Sequence, residues 1–143
     1  MTQLQGDTDG VLDTSTVILL PRLGNSSGLP ERPTITTITL AELSAGPLVT
    51  SDEHERAARQ AHVQQAEHDF DPIPFDAAAA RAFGRVAAGI RAAGRKPAAR
   101  AYDALIAAIA IANQLPLYTV NPADFAAIDE LDLRAVPHPD SAG

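Results

Sequence analysis

Four carboxylates stand in apolar surroundings: Asp13 directly after Val11-Leu12, Glu42 inside Leu40-Ala41-Glu42-Leu43, Asp103 at the head of Asp103-Ala104-Leu105-Ile106-Ala107-Ala108, and Asp124 just before Phe125. An ionised carboxylate beside hydrophobic sequence is costly unless something cationic neutralises it, and a divalent metal is the natural candidate. The chain has no cysteine, which leaves oxygen donors and histidine as metal ligands and favours Mg²⁺ or Mn²⁺ over Zn²⁺. Of the histidines, His54, His62 and His68 share one polar stretch without paired-ligand spacing, and His138 sits near the C-terminus; they read as surface or packing residues.

Taken singly, each acid has a bland explanation. Asp13 could cap the helix that follows it, and Thr39-Leu40-Ala41-Glu42 fits a capping box. Asp103 could complement a helix dipole, as could Asp124 with Asn121 as N-cap and Pro122 at the first helical position. The joint pattern says more, because Asp13 and the Thr119–Asp124 stretch fall at the ends of expected strands. Helix N-termini at Glu42 and Asp103 can reach the same sheet edge, since a helix after a parallel strand starts there, and open α/β sheets hold their ligands at that edge. Four carboxylates around one or two hard cations would suit phosphodiester hydrolysis.

The elements that must position them can be read from the apolar pattern. Val11-Leu12 reads as a buried strand, Ser15 to Leu23 as a helix that Pro21 should bend or shorten, 24–33 as a loop, and Thr34 to Thr37 as a second strand before a helix containing Leu40 to Ala45. A polar helix follows over Ser51 to Asp69. After the extended Pro72-Ile73-Pro74-Phe75, Asp76 should cap a helix to about Gly94, with Phe83, Val86, Ala87 and Ile90 on its packing face. Leu105 to Ala112 has no polar residue and predicts a central helix buried on nearly all sides. Leu117 to Val120 and Leu133 to Val136 read as strands, and Pro122 to Ile128 as a short helix. Apolar strands alternating with helices predict a three-layer α/β/α domain around a mainly parallel sheet. One domain is expected over 10–139, with a loose tail at 1–9 and another at 140–143.

The 143 residues carry 11 basic and 18 acidic side chains, for a formal charge of −7, so net charge alone does not drive binding to nucleic acid. The basic residues are nonetheless concentrated. Arg81, Arg85, Arg91, Arg95, Lys96 and Arg100 fall in a stretch, 77–102, that contains no acid, and Arg81, Arg85 and Arg100 are candidates for contacts to a phosphate backbone. The alternative for the stretch is a solvated helix face, and for Arg100 a pairing with a nearby acid. No segment has the length and apolarity of a membrane span or the pattern of a signal peptide, and a cytoplasmic protein is expected.

The motifs Leu12-Asp13-Thr14-Ser15, Ala41-Glu42-Leu43, Asp103-Ala104-Leu105-Ile106-Ala107-Ala108 and Thr119-Val120-Asn121-Pro122-Ala123-Asp124-Phe125 together resemble the PIN-domain ribonucleases, specifically the VapC toxins of bacterial toxin–antitoxin pairs. The resemblance implies that Asp13, Glu42, Asp103 and Asp124 form a Mg²⁺-binding acidic site supported by Thr14, Thr119 and Asn121. It further implies metal-dependent endoribonuclease activity on tRNA, rRNA or mRNA, a homodimer, and a cognate VapB-type antitoxin that covers the site. Val120 stands where relatives commonly carry a basic residue. Two other readings compete: a phosphoryl-transfer domain with Asp13 as nucleophile, against which Ser15 stands where a second acid belongs, and a catalytically inactive PIN-like module that binds RNA or protein.

Overall fold

Val11 and Leu12 are both fully buried, which requires a strand covered on each side. The computed structural model of the chain, which describes residues 9–24 and 28–141, provides it. β1 (Asp9–Leu12) lies between β2 (Arg32–Thr34) and β3 (Leu117–Thr119), with β4 (Leu133–Ala135) beyond β3. All three pairings are parallel, in the register Val11 to Thr34 and to Leu117, and Leu117 to Leu133. Pro33 is tolerated because β2 is an edge strand, where a missing N–H interrupts no second ladder.

Alternation along the strands sends side chains to two cores. Val11 and Leu117 face one formed with α4 (Ala77–Ala92) and α5 (Ala101–Ala112), through Val86, Ile90, Ile106 and Phe125. Leu12 and Tyr118 face the other, with Val17 of α1 (Thr14–Leu23), Leu43 of α2 (Thr37–Ala45) and Val63 of α3 (Glu53–Asp69). This is the expected three-layer α/β architecture with a parallel sheet. Ala104 and Ile106 to Ala110 are buried, so α5 is the central helix. Among the described residues no helix is long and apolar enough to cross a membrane.

Several boundaries differ from the sequence reading for local reasons. The strand expected at Thr34 to Thr37 ends at Thr34; Thr36 instead caps α2, its Oγ1 accepting from Thr39 N at 3.2 Å, and makes one bridge to Ile73. That cap also removes the expected Thr39–Glu42 capping box, since Thr39 already lies inside the helix. β3 stops at Thr119 because Val120 N donates to the Thr16 hydroxyl rather than to a ladder. The helix expected at Pro122 to Ile128 is a single 3₁₀ turn, Pro122–Phe125, followed by a further i to i+3 bond from Ile128 N to Phe125 O; the tight winding puts Phe125 and Ile128 on one face, both in the core. Pro21 does not shorten α1, which runs to Leu23 and is closed by Gly24 at φ 54°. The tail expected at 1–9 lies outside the described residues except for Asp9, which already belongs to β1. The loop expected at 24–33 is shorter, since Arg32 and Pro33 belong to β2, and residues 25–27 lie outside the described ones. The tail expected at 140–143 begins instead in a 3₁₀ turn, Pro139–Ser141, where Asp140 pairs with Arg22, and residues 142–143 lie outside the described ones.

Gly10 is needed where β1 passes the Tyr118 ring: a Cβ there would sit 2.4 Å from Tyr118 Cε1 and 2.6 Å from Cδ1. Gly10→Ala therefore forces the buried ring to move, and we expect a loss of about 2 kcal/mol, measurable as a lower denaturation midpoint with an unchanged slope. An unchanged midpoint would mean that the ring relocates freely.

Candidate acidic site at the carboxyl edge of the sheet

β1 ends and α1 begins at Asp13, which is both the N-cap of α1 and a buried acid only 2% exposed. Its two oxygens are separately held. Oδ1 accepts from Thr16 N at 3.2 Å and from the Thr16 hydroxyl, while Oδ2 accepts from Thr119 Oγ1 at 2.9 Å. Thr119 is the last residue of β3, and its Oγ1 in turn accepts from Asn121 N at 2.9 Å. Hydroxyl donors favour the carboxylate, yet burial outweighs them and pushes the Asp13 carboxyl above its ordinary range.

Glu42 lies one helix away and is fixed by Thr14, whose hydroxyl donates to Glu42 Oε1 at 2.5 Å and lies 3.0 Å from Thr39 Oγ1. Thr14 and Glu42 line a hollow shared with Ile18 and His62. Asp103 sits in the first turn of α5, whose N-terminus reaches the carboxyl edge because the helix must run back before β3. Asp124 occupies the 3₁₀ turn just after β3. Between these two acids stands Arg100, with Nη2 3.2 Å from Asp124 Oδ1 and Nη1 3.8 Å from Asp103 Oδ2.

The acids are electrostatically one group. Asp103 is pushed up to about 6, first by burial, then by the charges of Asp124, Asp13 and Glu42, with only Arg100 acting in opposition. Repulsion of this size among acids from four separate segments gives the edge a deficit of positive charge. Among the described residues no three His, Asp or Glu side chains draw close enough to form a closed metal-ligand set, and none of the described buried polar side-chain atoms lacks a partner.

The candidate arginines separate. Arg100 stands at the acids. Arg85 pairs with Glu130 at 3.0 Å on the outer face of α4, and Arg81 is exposed nearer the N-terminal end of that helix, while its C-terminal end, at Ile90, lines the same cleft as Asp103. Tyr102 is exposed and Tyr118 buried, with Arg134 over the Tyr118 ring. Sequence reasoning missed Thr16, Thr36 and Thr39. The signal for Thr16 was its spacing: three residues after an N-cap acid, a hydroxyl can fold back onto the cap. Thr16→Val removes the donor to Asp13 and orphans the buried Val120 N–H, so we expect a loss of about 2 kcal/mol in denaturant melts. Thr16→Ser should recover most of it; equal losses in both variants would assign the effect to packing.

Comparison with known proteins agrees with this architecture. A PIN-domain family model matches residues 11–131. The chain is 37% identical over 122 residues to ribonuclease VapC5 of Mycobacterium tuberculosis, covering 84% of this chain and 87% of that protein. It is also 37% identical to ribonuclease VapC8 of the same species over 101 residues, 71% of this chain and 89% of that one. Among solved structures, VapBC-5 from Mycobacterium tuberculosis, a member of the VapBC family of toxin-antitoxin systems, superposes with a TM-score of 0.77 at 34% identity, over 90% of this chain and 98% of that one. VapBC2 from Rickettsia felis, solved bound to a promoter DNA fragment, shares the fold with a TM-score of 0.70 at 22% identity, over 90% and 98%. Motif order, sheet topology and these alignments over nearly the full length place the chain in the PIN-domain family, among the VapC ribonucleases.

Proposed function

We propose that the chain is a metal-dependent endoribonuclease, the toxin of a VapBC-type pair, that hydrolyses phosphodiester bonds of tRNA, rRNA or mRNA. The observation that carries the reading is the meeting of acids from separate segments at one sheet edge: Asp13 at the end of β1, tied to Thr119 of β3, with Asp103 and Asp124 on either side of Arg100. The donor set is entirely hard oxygen and anionic, which fits Mg²⁺ or Mn²⁺. Because the acids do not close on one point, a cation that keeps several of its waters suits them best. Asp13 and Asp103 would hold it, Glu42 would position it or the attacking water, and Asp124 would complete the set. When bound, the cation would supply activation of water and neutralisation of charge on the phosphate.

The chain's own groups have definable parts in this. Thr16 and Thr119 fix both oxygens of Asp13, so its orientation is set before anything binds. Thr14 does the same for Glu42. Asn121 holds Thr119 in place through its backbone N–H. Arg100 offsets the charge of Asp124 and, at longer range, of Asp103, and from the same place its guanidinium could meet a substrate phosphate. A VapB-type antitoxin is part of the same reading, supported by the similarity to VapBC-5, a member of a toxin-antitoxin family; an antitoxin segment covering the acids, a homodimeric assembly and a cytoplasmic location complete the proposal.

The test is cleavage of total bacterial RNA by purified protein with Mg²⁺, with EDTA, and with Asp13→Asn, the cuts being read by end mapping. Discrete cuts that require both metal and Asp13 are the expected result. RNA binding without cutting, equal in the wild type and the variant, would favour a binding module instead.

A further inference from the structure

Next to Asp103 and Asp124 lies a cleft of about 240 Å³ between the 94–100 connector and the segment after β3. Its floor is apolar: Ile90, Ala104 and Ile128, each less than 10% exposed, line it. Its rim carries Arg95 and Lys96, both exposed and neither in an ion pair with a described residue, and Arg100 stands where the cleft meets the acids. An apolar floor with a cationic rim at Arg95 and Lys96, and Arg100 at its inner end, match a ligand with a flat apolar part flanked by phosphates; the acids beyond Arg100 would meet the inner phosphate only with the cation of the nuclease reading between them.

We propose that this cleft is a subsite for one unpaired nucleotide beside the scissile phosphate, its base against Ile90, Ala104 and Ile128 and its outer phosphate on Arg95 and Lys96. The inference rests on the nuclease reading above and adds to it the residues that seat one nucleotide beside the acids. The hollow is smaller than the roughly 300–1,000 Å³ of drug-sized sites, which suits one base and excludes a base pair. Phosphate attraction from two unpaired cations gives affinity, and aliphatic contact with the base face is indifferent to base identity unless an edge is also read. The acid-free run 77–102 thereby separates by position: its C-terminal cations serve the subsite, whereas Arg85 is committed to Glu130.

The experiment titrates the full chain, labelled at isoleucine δ1 methyls, with adenosine 3′,5′-bisphosphate in Mg²⁺, with ribose 5-phosphate as control. Ring current from a seated base moves the Ile90 and Ile128 methyls upfield and leaves Ile18 and Ile35 in place. Reversing the rim with Arg95→Glu and Lys96→Glu together should raise Kd by about 10-fold or more. Ala99→Phe, at an exposed position lining the cleft, should abolish the upfield shifts while the other methyls keep their positions. Absence of those shifts, or identical shifts with ribose 5-phosphate, would overturn the subsite even if RNA is cleaved. Upfield shifts in a protein that cuts no RNA would support the nucleotide cleft and overturn the nuclease reading.

Discussion

Asp103→Asn is expected to yield a protein that is more stable than the wild type in EDTA at pH 7 and at least about 10³-fold slower in cutting RNA. The two effects share one cause. In the wild type the Asp103 carboxylate must ionise in a half-buried place already occupied by the fields of Asp124, Asp13 and Glu42, which is why its carboxyl is pushed up to about 6. The amide has the same shape and no charge, so the metal-free fold should gain about 2 kcal/mol. The contact it gives up with Arg100 is long, 3.8 Å, and the shorter Arg100–Asp124 pair remains. Urea melts in EDTA and in Mg²⁺, alongside single-turnover RNA cleavage, read both effects. A less stable variant in EDTA would mean that the acids do not strain the fold and would remove the main argument for a cation among them.

The pH dependence of the wild type is the second large effect. Asp103 has a folded value of about 6 against an ordinary 3.8, so between those limits the folded state binds more protons than the unfolded one. Stability therefore falls as pH rises from about 4 to somewhat above 6 and then levels, by on the order of 2 kcal/mol from this half-buried group once solvent screening is counted. Asp13, also raised, acts in the same direction. Asp69, held low by Gln65 and His68, and Asp140, held low by Arg22, stabilise the fold above their unfolded values, and that contribution fades as pH falls below about 4, outside this window. Saturating Mg²⁺ should flatten the slope by binding the ionised, folded form. Denaturation midpoints from pH 4 to 8, with and without Mg²⁺, measure it. Stability that rises across this interval without metal would contradict the electrostatics of the site.

The acids drew notice in the sequence because an acid beside Val11-Leu12, another heading Ala104 to Ala108, and Pro122 at a helix-start position before Asp124 each leave a local trace; that they act as one metal-binding set belongs to the proposed function. The parallel α/β layering followed from strands apolar on both faces and from an α5 with no polar side. Thr16 left only a three-residue spacing, and its role depends on β3 arriving beside α1, with Val120 N meeting its hydroxyl. The capping box at Thr39 looked equally good in sequence, but Thr36, three residues earlier, takes the cap by the same local pattern and places Thr39 inside the helix. Long-range pairing decided the role of Thr16, and no local pattern encodes it.

What the sequence by itself determined was which acids stand beside apolar residues and which elements carry them, since apolar pattern and helix or strand period are properties of neighbours along the chain. Only the tertiary structure decided how those charges are shared. It put Arg100 between Asp103 and Asp124, tied Arg85 to Glu130, and opened an apolar cleft beside the acids. Coulomb interactions act through space and are set by distance across the sheet edge, so four acids far apart in sequence become one coupled group only when β1, α2, α5 and the turn after β3 meet.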